Sequence, residues 1–362
     1  MSSGMGNGAN GTMRAWRIHA YGPPSQALRL EHGLALPSPG PGEIRIRVHA
    51  VPLNIHDVER INGGVMFMRP ELPYSPGMEV MGVVDACGDG AEAWLGRRVA
   101  AMLPTAIGAF AEAAIASPET TFEVPDSIPI PQAAAILMPF HLAAMGLLER
   151  ARLAPGETVL IHAGGGGAGS AAIQLAVQRG ARVVATAGSP ERLALCRELG
   201  AEIAIDYRRD RFLEPILDWT QGKGVDVVFD GVGIAVQKES MECMAWGGRY
   251  VMLGFVSDKT VGDQPSIVPR TIGWGNFSLV IFSLGYRDEA ASRAGKRSMP
   301  GLNRAPRSVG DRLHAEILSQ IEAGQVRPIV GLHVPFEALP AALDAMARRE
   351  TLGRVVVDVA PR

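Results

Sequence analysis

The sequence predicts an α/β protein, in which a doubly wound parallel sheet is preceded by a β-rich region. Three observations carry that expectation. From Thr158 onward, apolar runs of strand length alternate with amphipathic runs of helix length, the rhythm of a parallel sheet covered on both faces. Between Met13 and Ser127, short alternating segments are broken repeatedly by Pro and Gly. The 362 residues, 47% of them hydrophobic, suit two domains with sizeable cores.

Taken in order, the first residues, "MSSGMGNGANGT", are polar and glycine-rich and read as a disordered tail over 1–12. They lack a basic segment followed by an apolar core, so they do not read as a secretory signal. "GEIRIRVHAV" (Gly42–Val51) places Ile44, Ile46 and Val48 on one face of a half-buried strand. "PGMEVMGVVDACGDG", "GRRVAAML" and "GAFAEAAIAS" continue the β pattern. The stretch Pro129–Glu157 shifts to helical patterning. "TVLIHA" and "RVVATA" then read as buried strands, with "SAAIQLAVQRG" as the helix between them. Ser189-Pro190 reads as N-cap and first helical residue of the next helix. "EIAIDY", "VDVVFDG", "GRYVMLGF" and "NFSLVIFS" supply further strands, and Tyr286–Gly310 reads as a basic loop.

Composition excludes several function classes. A net charge of −2 gives no global pull toward nucleic acid or membrane. No apolar run is long enough to span a bilayer. Cys87, Cys196 and Cys243 are far apart and form no CxxC, which argues against a disulfide framework or a cysteine-built zinc knuckle. A soluble, cytoplasmic protein is the expectation.

The glycines of "VLIHAGGGGAGSAAIQLA" (Val159–Ala176) sit between a buried strand and a helix start. Gly164, Gly166 and Gly169 fit the dinucleotide fingerprint G-x-G-x-x-G, with Gly165, Gly167 and Ala168 between them. Gly164 is expected to take the tight turn, Gly166 to let a pyrophosphate approach and Gly169 to bring the helix close to the sheet. The helix N-terminus offers unpaired N–H groups to the phosphates. NAD sites place a carboxylate after the second strand to hold the ribose hydroxyls. Here Thr186, Ala187, Gly188 and Ser189 stand instead, followed by Arg192, which can pair with a phosphate. With Tyr207 on the next strand, the pattern favours NADPH over NADH.

Together the stretches "PGMEVMGVV", "GAFAEAAIA", "ARLAPGETVLIHAGGGGAGSAAIQLA", "GSPERLALCRELGAEIAIDYR", "VDVVFDGVG", "GGRYVMLGF" and "LGRVVV" resemble the medium-chain dehydrogenase/reductase superfamily. Within it, they are most similar to the zinc-independent, ζ-crystallin-like quinone oxidoreductases. The resemblance implies a GroES-like catalytic domain over 13–128, a Rossmann domain over 129–285 and a return to the catalytic domain over 286–362, with the active site in the cleft. It implies cofactor contacts at Gly166, Gly167, Ala168, Ser189, Arg192, Tyr207, Gly231, Gly254 and Phe255, and Asn54 near the nicotinamide. It also implies a homodimer, built by the edge strand Asn276–Ser283 pairing with its twin.

Zinc alcohol dehydrogenases of the superfamily carry Gly-His-Glu where this chain reads Gly77-Met78-Glu79. A thioether is a poor zinc ligand beside imidazole, so no metal is expected and Glu79 reads as structural. His56, one turn from Asn54, is a weaker candidate proton donor. Relatives often read Thr-Ala-Tyr where this chain has Leu142 and Ala144, so His141 becomes an alternative. Met66, Phe67, Tyr74, Met138 and His141 are the expected substrate-pocket residues, favouring a flat or apolar substrate.

The function expected is NADPH-dependent hydride transfer to a quinone or an α,β-unsaturated carbonyl, with Asn54 stabilising the developing anion. Two alternatives stand beside it: an enoyl thioester reductase gripping its carrier through the basic loop, and a non-catalytic binding protein that keeps the dinucleotide fold.

Overall fold

Antiparallel pairing begins at Thr12, inside the stretch expected to be a tail. The computed structural model describes residues 11–64, 69–253, 267–298 and 303–359. Residues 1–10 of the expected tail, and Met66, Phe67, Gly254 and Phe255, lie outside the described residues. The chain divides into two units, one comprising residues 1–125, 334–344 and 357–362 and the other 126–333 and 345–356.

In the first unit, β1 (Thr12–Ile18) pairs antiparallel with β2 (Leu28–Ala35) across the short helix α1 (Pro24–Ala27). The main sheet runs β3 (Ile44–Leu53), β4 (Glu79–Cys87), β5 (Arg98–Met102) and β7 (Thr121–Glu123), with β6 (Ala113–Ala116) also paired to β3. Ile44, Ile46 and Val48 are buried and alternate with more exposed arginines, as the period-2 pattern requires. Beyond Ala50 every residue of β3 is buried, and the strand delivers the chain to α2 (Ile55–Ile61).

In the second unit, α3 (Ile130–Ala134) and α4 (Leu137–Ala144) lead to alternating strands and helices. These are β8 (Thr158–Ile161), α5 (Gly167–Gln178), β9 (Arg182–Ala187), α6 (Pro190–Glu198), β10 (Ile203–Asp206), α7 (Leu213–Trp219), β11 (Val225–Asp230), α8 (Ile234–Glu242), β12 (Met244–Met252), α9 (Pro269–Gly275) and β13 (Ser278–Ile281). The six strands are parallel in the order β10-β9-β8-β11-β12-β13. The order reverses between β8 and β11, and the carboxyl ends of those strands are where such sheets bind ligands. Val159, Leu160, Val183, Val184, Val227 and Val228 are fully buried because helices cover both faces.

The expected loop over 286–310 is instead largely ordered into elements: β14 (Tyr286–Arg287), α10 (Glu289–Ser298), β15 (Ala305–Pro306) and the start of α11 (Arg307–Glu322). Asp288 starts α10, its carboxylate accepting from the N–H groups of Ala290 (2.8 Å) and Ala291 (3.2 Å). Of the charges that suggested a solvated loop, Glu289, Arg293 and Arg307 sit on helices and Arg287 on a strand. β16 (Val330–Pro335), α12 (Leu339–Ala347) and β17 (Arg354–Asp358) complete the chain. The return expected at 286 therefore falls at 334, because residues 286–333 belong to the second unit. Tyr286 and His314 show why: both are hydrogen-bonded to His141 of α4, at 2.7 Å and 3.0 Å. No helix among the described residues is long and apolar enough to cross a membrane.

Two fully buried histidines tie this unit together. His162, just past β8, bonds Thr186 through Nδ1 (2.9 Å) and Ser240 through Nε2 (2.8 Å). Ser240 Oγ donates to the Val236 carbonyl, so it accepts from Nε2–H, and Nδ1 accepts from Thr186. A neutral ring satisfies this network. Burial holds both imidazoles below the usual histidine value, His141 well below it, with His314 and Arg307 adding to the effect there. The unfolded chain thus binds protons that the folded one refuses. Stability should be level above about pH 7.5 and fall as pH drops below about 6.5, by up to about 1.4 kcal/mol per pH unit for each histidine. Urea midpoints at pH 7.5 and 5.5 test this, and a midpoint that holds or rises on acidification contradicts it.

Candidate active site

The turn after β8 runs from Ala163, at φ +52°, through Gly164 and Gly165, and is closed by Gly166 N–H donating to the Ala163 carbonyl at 2.9 Å. Gly164, inside that turn, is also needed for packing, since a Cβ there would stand 2.7 Å from the Cys196 sulfur and 3.1 Å from Ala185 Cβ. At Gly169, in the first turn of α5, a Cβ would stand 2.2 Å from the Ala163 carbonyl oxygen, so the helix start is pressed onto the loop. Gly166, the N-cap, is different. Its Cβ would meet only the Ala163 carbonyl oxygen, at 3.3 Å, which leaves one face of the backbone open.

The N–H groups of the first turn of α5, from Gly167, Ala168 and Gly169, have no intrahelical acceptor. Arg354, only 7% exposed, lays its side chain over Gly167, where a Cβ would stand 2.6 Å from its Cδ. Gly353 N–H donates to the Gly165 carbonyl at 2.8 Å, which fastens the segment carrying Arg354 to the glycine loop. A helix N-terminus, an open glycine and a buried guanidinium fit the pyrophosphate of a dinucleotide. Arg354 escaped the sequence reading because it comes from the far end of the chain.

At the end of β9 the structure distributes the expected residues unevenly. Ser189 caps α6, accepting from Arg192 N–H at 3.4 Å, and its hydroxyl also bonds Glu191, whose carboxyl lies below the usual range through backbone and Ser189 hydrogen bonds. Arg192 is half-buried, and its Nη2 donates to the carbonyls of Arg349 (2.5 Å) and Thr351 (2.6 Å). Tyr207 and Arg208 come together over Gly188, where a Cβ would stand 3.0 Å from both the Tyr207 hydroxyl and Arg208 Nε. Arg208 was the missed residue here; the basic pair after Tyr207 in "IDYRR" was its signal.

Beyond β11, the buried Asp230 carboxylate shapes the next loop. It accepts from Val232 N–H (2.7 Å), Gly233 N–H (3.0 Å) and the Tyr250 hydroxyl (2.6 Å). Among the described residues no heavy atom beyond its chain neighbours lies within 4 Å of the Gly231 Cβ position, so its face is open to them. On α4, Met138 is half-buried and Pro139 touches the Gly167 position at 3.6 Å. His141 is fully buried with both ring nitrogens hydrogen-bonded, so in this structure it offers a ligand no surface, contrary to its expected place in a pocket.

In the first unit, Asn54 caps α2 and is 7% exposed. Its backbone N–H donates to Asp57 Oδ2 at 2.8 Å. Its Nδ2 donates to the Pro52 carbonyl and to the buried Glu79 carboxylate, each at 3.3 Å. Glu79 therefore orients the Asn54 amide, a more definite role than the structural one expected. His56 is exposed and pairs with Glu59 at 2.8 Å. Tyr74 is buried and Met78 half-buried. No three His, Cys, Asp or Glu side chains among the described residues gather as a metal site.

Comparison with known proteins places this geometry. Residues 40–126 match the family model described as "Alcohol dehydrogenase GroES-like domain", and residues 167–293 match the one described as "Zinc-binding dehydrogenase". A quinone oxidoreductase of Pongo abelii is 32% identical over 331 residues, covering 91% of this chain and 92% of the relative. A mycobacterial protein whose structure was solved in complex with NADPH is 28% identical, with a TM-score of 0.81, over 96% of this chain and 100% of that one. The CurK enoyl reductase is 26% identical, with a TM-score of 0.80, over 96% of this chain and 99% of that one. The glycine-rich turn of a parallel sheet, the GroES-like unit carrying Asn54 and these matches along nearly the whole length show that the chain belongs to the quinone oxidoreductase family of medium-chain dehydrogenases/reductases.

Proposed function

We propose that the protein is an NADPH-dependent, metal-independent reductase of quinones or α,β-unsaturated carbonyls. The observation that carries the cofactor choice is the end of β9. No carboxylate stands at 186–189, while Tyr207 and Arg208 converge over Gly188. A ribose 2′-phosphate would find a phenol, a guanidinium and the Ser189 cap there. Gly164, Gly166, Gly167, Ala168 and Gly169, with Arg354, would hold the pyrophosphate, and the open face of Gly231 would lie along the remaining cofactor. Arg192 would act mainly by fastening residues 349–351. The NADPH-bound mycobacterial neighbour supports this reading.

When bound, NADPH supplies a hydride, two electrons and one hydrogen nucleus, to the β-carbon of the acceptor. The chain's task is to hold the acceptor and stabilise the enolate or hydroquinone oxygen that develops as the π electrons shift. Asn54 is the donor we assign. At 3.3 Å its two N–H bonds are long, so a developing oxyanion competes against weak partners, while Glu79 keeps the amide turned. Metal independence rests on Met78 standing where zinc relatives carry histidine. Cys87, Cys196 and Cys243 are free thiols, which suits the cytoplasm. A homodimer is proposed from β13, the edge strand of the parallel sheet, whose Ile281 is 46% exposed.

A second reading, reduction of an enoyl thioester, is favoured by the likeness to an enoyl reductase. Comparing an enoyl-CoA with the free enone separates the two. Saturable NADPH binding without turnover on either would point to a non-catalytic binding protein.

NADPH should bind at least about tenfold more tightly than NADH, roughly 1.4 kcal/mol or more. Arg208→Ala should erase most of that preference while leaving NADH affinity near its native value. Equal affinities in the native protein, measured by fluorescence titration, would sink the assignment. Asn54→Ala should lower kcat about tenfold or more with little change in NADPH affinity. Turnover should survive dialysis against a chelator; loss of activity restored only by zinc would overturn the metal-free reading.

A further inference from the structure

Three segments of the first unit meet at a cluster that the reading above does not use. Ile18 and Tyr74 exchange backbone hydrogen bonds at 3.0 and 3.3 Å, and Gly22 N–H donates to the Ile61 carbonyl at 3.0 Å. Those bonds bring together Tyr21, the end of α2 and the stretch from Arg69 to Tyr74. The Tyr74 side chain is 7% exposed, and its hydroxyl has no hydrogen-bond partner among the described residues. A buried donor left without an acceptor costs about 1–3 kcal/mol, so its retention calls for a reason.

The surroundings of that phenol are cationic. Burial pushes it up to about 12, Tyr21 adds to this, and Arg60 and Arg69 pull it back. Each arginine is fastened by main-chain carbonyls. Arg60 Nη1 donates to Thr105 (3.2 Å) and Ala106 (2.5 Å), and Arg69 Nη2 donates to Gly63 (2.7 Å) while its guanidinium stacks 5.4 Å from the Tyr21 ring centre. Thr105 and Ala106 both lie in the left-handed region, at φ +56° and +55°, a strained pair that Arg60 holds. Neither arginine pairs with a carboxylate among the described residues; nearby Glu59 is engaged by His56. Two positioned guanidiniums and one unsatisfied O–H thus lack an anion. Arg69 is exposed and Tyr21 half-exposed, so both side chains are free to rotate.

We propose that Tyr74, Arg60 and Arg69 form a subsite for a carboxylate carried by the acceptor substrate, accepting from the Tyr74 O–H and neutralising the two guanidiniums. The substrate part of this rests on the reductase reading. Asn54 starts α2 and Arg60 stands six residues later, about 9 Å along the helix axis. Six residues also turn about a third of the way round the helix, so an aromatic acid conjugated to an enone, with its carbonyl at Asn54, would meet Arg60 through that long side chain reaching back around α2 to its carboxylate.

The test uses the full chain, benzoate and inorganic phosphate as probes in calorimetry, and the Tyr74→Phe and Arg69→Gln variants. Benzoate should bind the native protein more tightly than phosphate, and at least about tenfold more weakly to either variant. Tyr74→Phe should be no less heat-stable, since it removes an unpaired hydroxyl. Failure of benzoate to bind at millimolar concentration, preference for phosphate, or full benzoate affinity in Tyr74→Phe would overturn the subsite. Kinetics then compare 4-phenyl-3-buten-2-one with its para-carboxylate. A KM at least tenfold lower for the carboxylate, with the ratio of the two KM values collapsing toward unity in Tyr74→Phe, supports the substrate assignment. Equal KM values overturn that assignment and leave the reductase reading intact. Reduction of neither, with Tyr74-dependent benzoate binding, removes the reductase reading and leaves the anion subsite standing.

Discussion

The carbonyl oxygen of Ala163 lies 2.2 Å from where a Cβ on Gly169 would stand, and this contact governs the second unit. It lets the first turn of α5 press down on the loop that leaves β8. The same closeness recurs at Gly164, against Cys196 and Ala185. Were either residue to carry a side chain, the helix would lift, and its unpaired N–H groups would no longer converge on one point. The open face at Gly166 exists because the crowding is taken up by its neighbours. Glycines in one short run therefore do different work: two permit packing, one leaves room for a ligand, and the positive φ falls to an alanine.

Buried polar groups organise what surrounds that loop. His162 bridges Thr186 at the end of β9 to Ser240 on α8, so it couples elements on either side of β8. Asp230 collects two N–H groups and the Tyr250 hydroxyl at the end of β11. Each lies at the carboxyl edge of the sheet, where strands give way to ligand-facing turns. Backbone polar groups at such turns need partners that hydrophobic packing cannot supply. The cost of burying His162 and Asp230 is offset by the fixed shape of the loops they hold.

In the first unit the same logic operates on a smaller scale. Asn54 caps α2, and its side chain is held between the Pro52 carbonyl and Glu79. An isolated amide would rotate, but one pinned by a buried carboxylate presents a defined edge. The loop at Thr105 and Ala106 shows the opposite case, in which a strained backbone persists because a guanidinium gathers its carbonyls.

The amino-acid sequence by itself determined the periodic features: the parallel sheet, the glycine fingerprint on a strand-to-helix turn, the Ser189 cap and the lack of a carboxylate after β9. These are local, because alternation, capping and backbone freedom act over a few residues. Over Tyr286–Gly310 charge density alone does not separate a solvated loop from a capped helix; the Asp288 carboxylate, accepting from two alanine N–H groups, starts the helix. Only the tertiary structure could place Arg354 over Gly167, bring Arg208 beside Tyr207 above Gly188, bury His141 between Tyr286 and His314, and set Glu79 against Asn54. Each of these joins residues distant in sequence or turned by a side-chain torsion, and no local pattern encodes which of many possible partners closes such a contact. Hydrophobic burial selects the partner through the packing of whole elements.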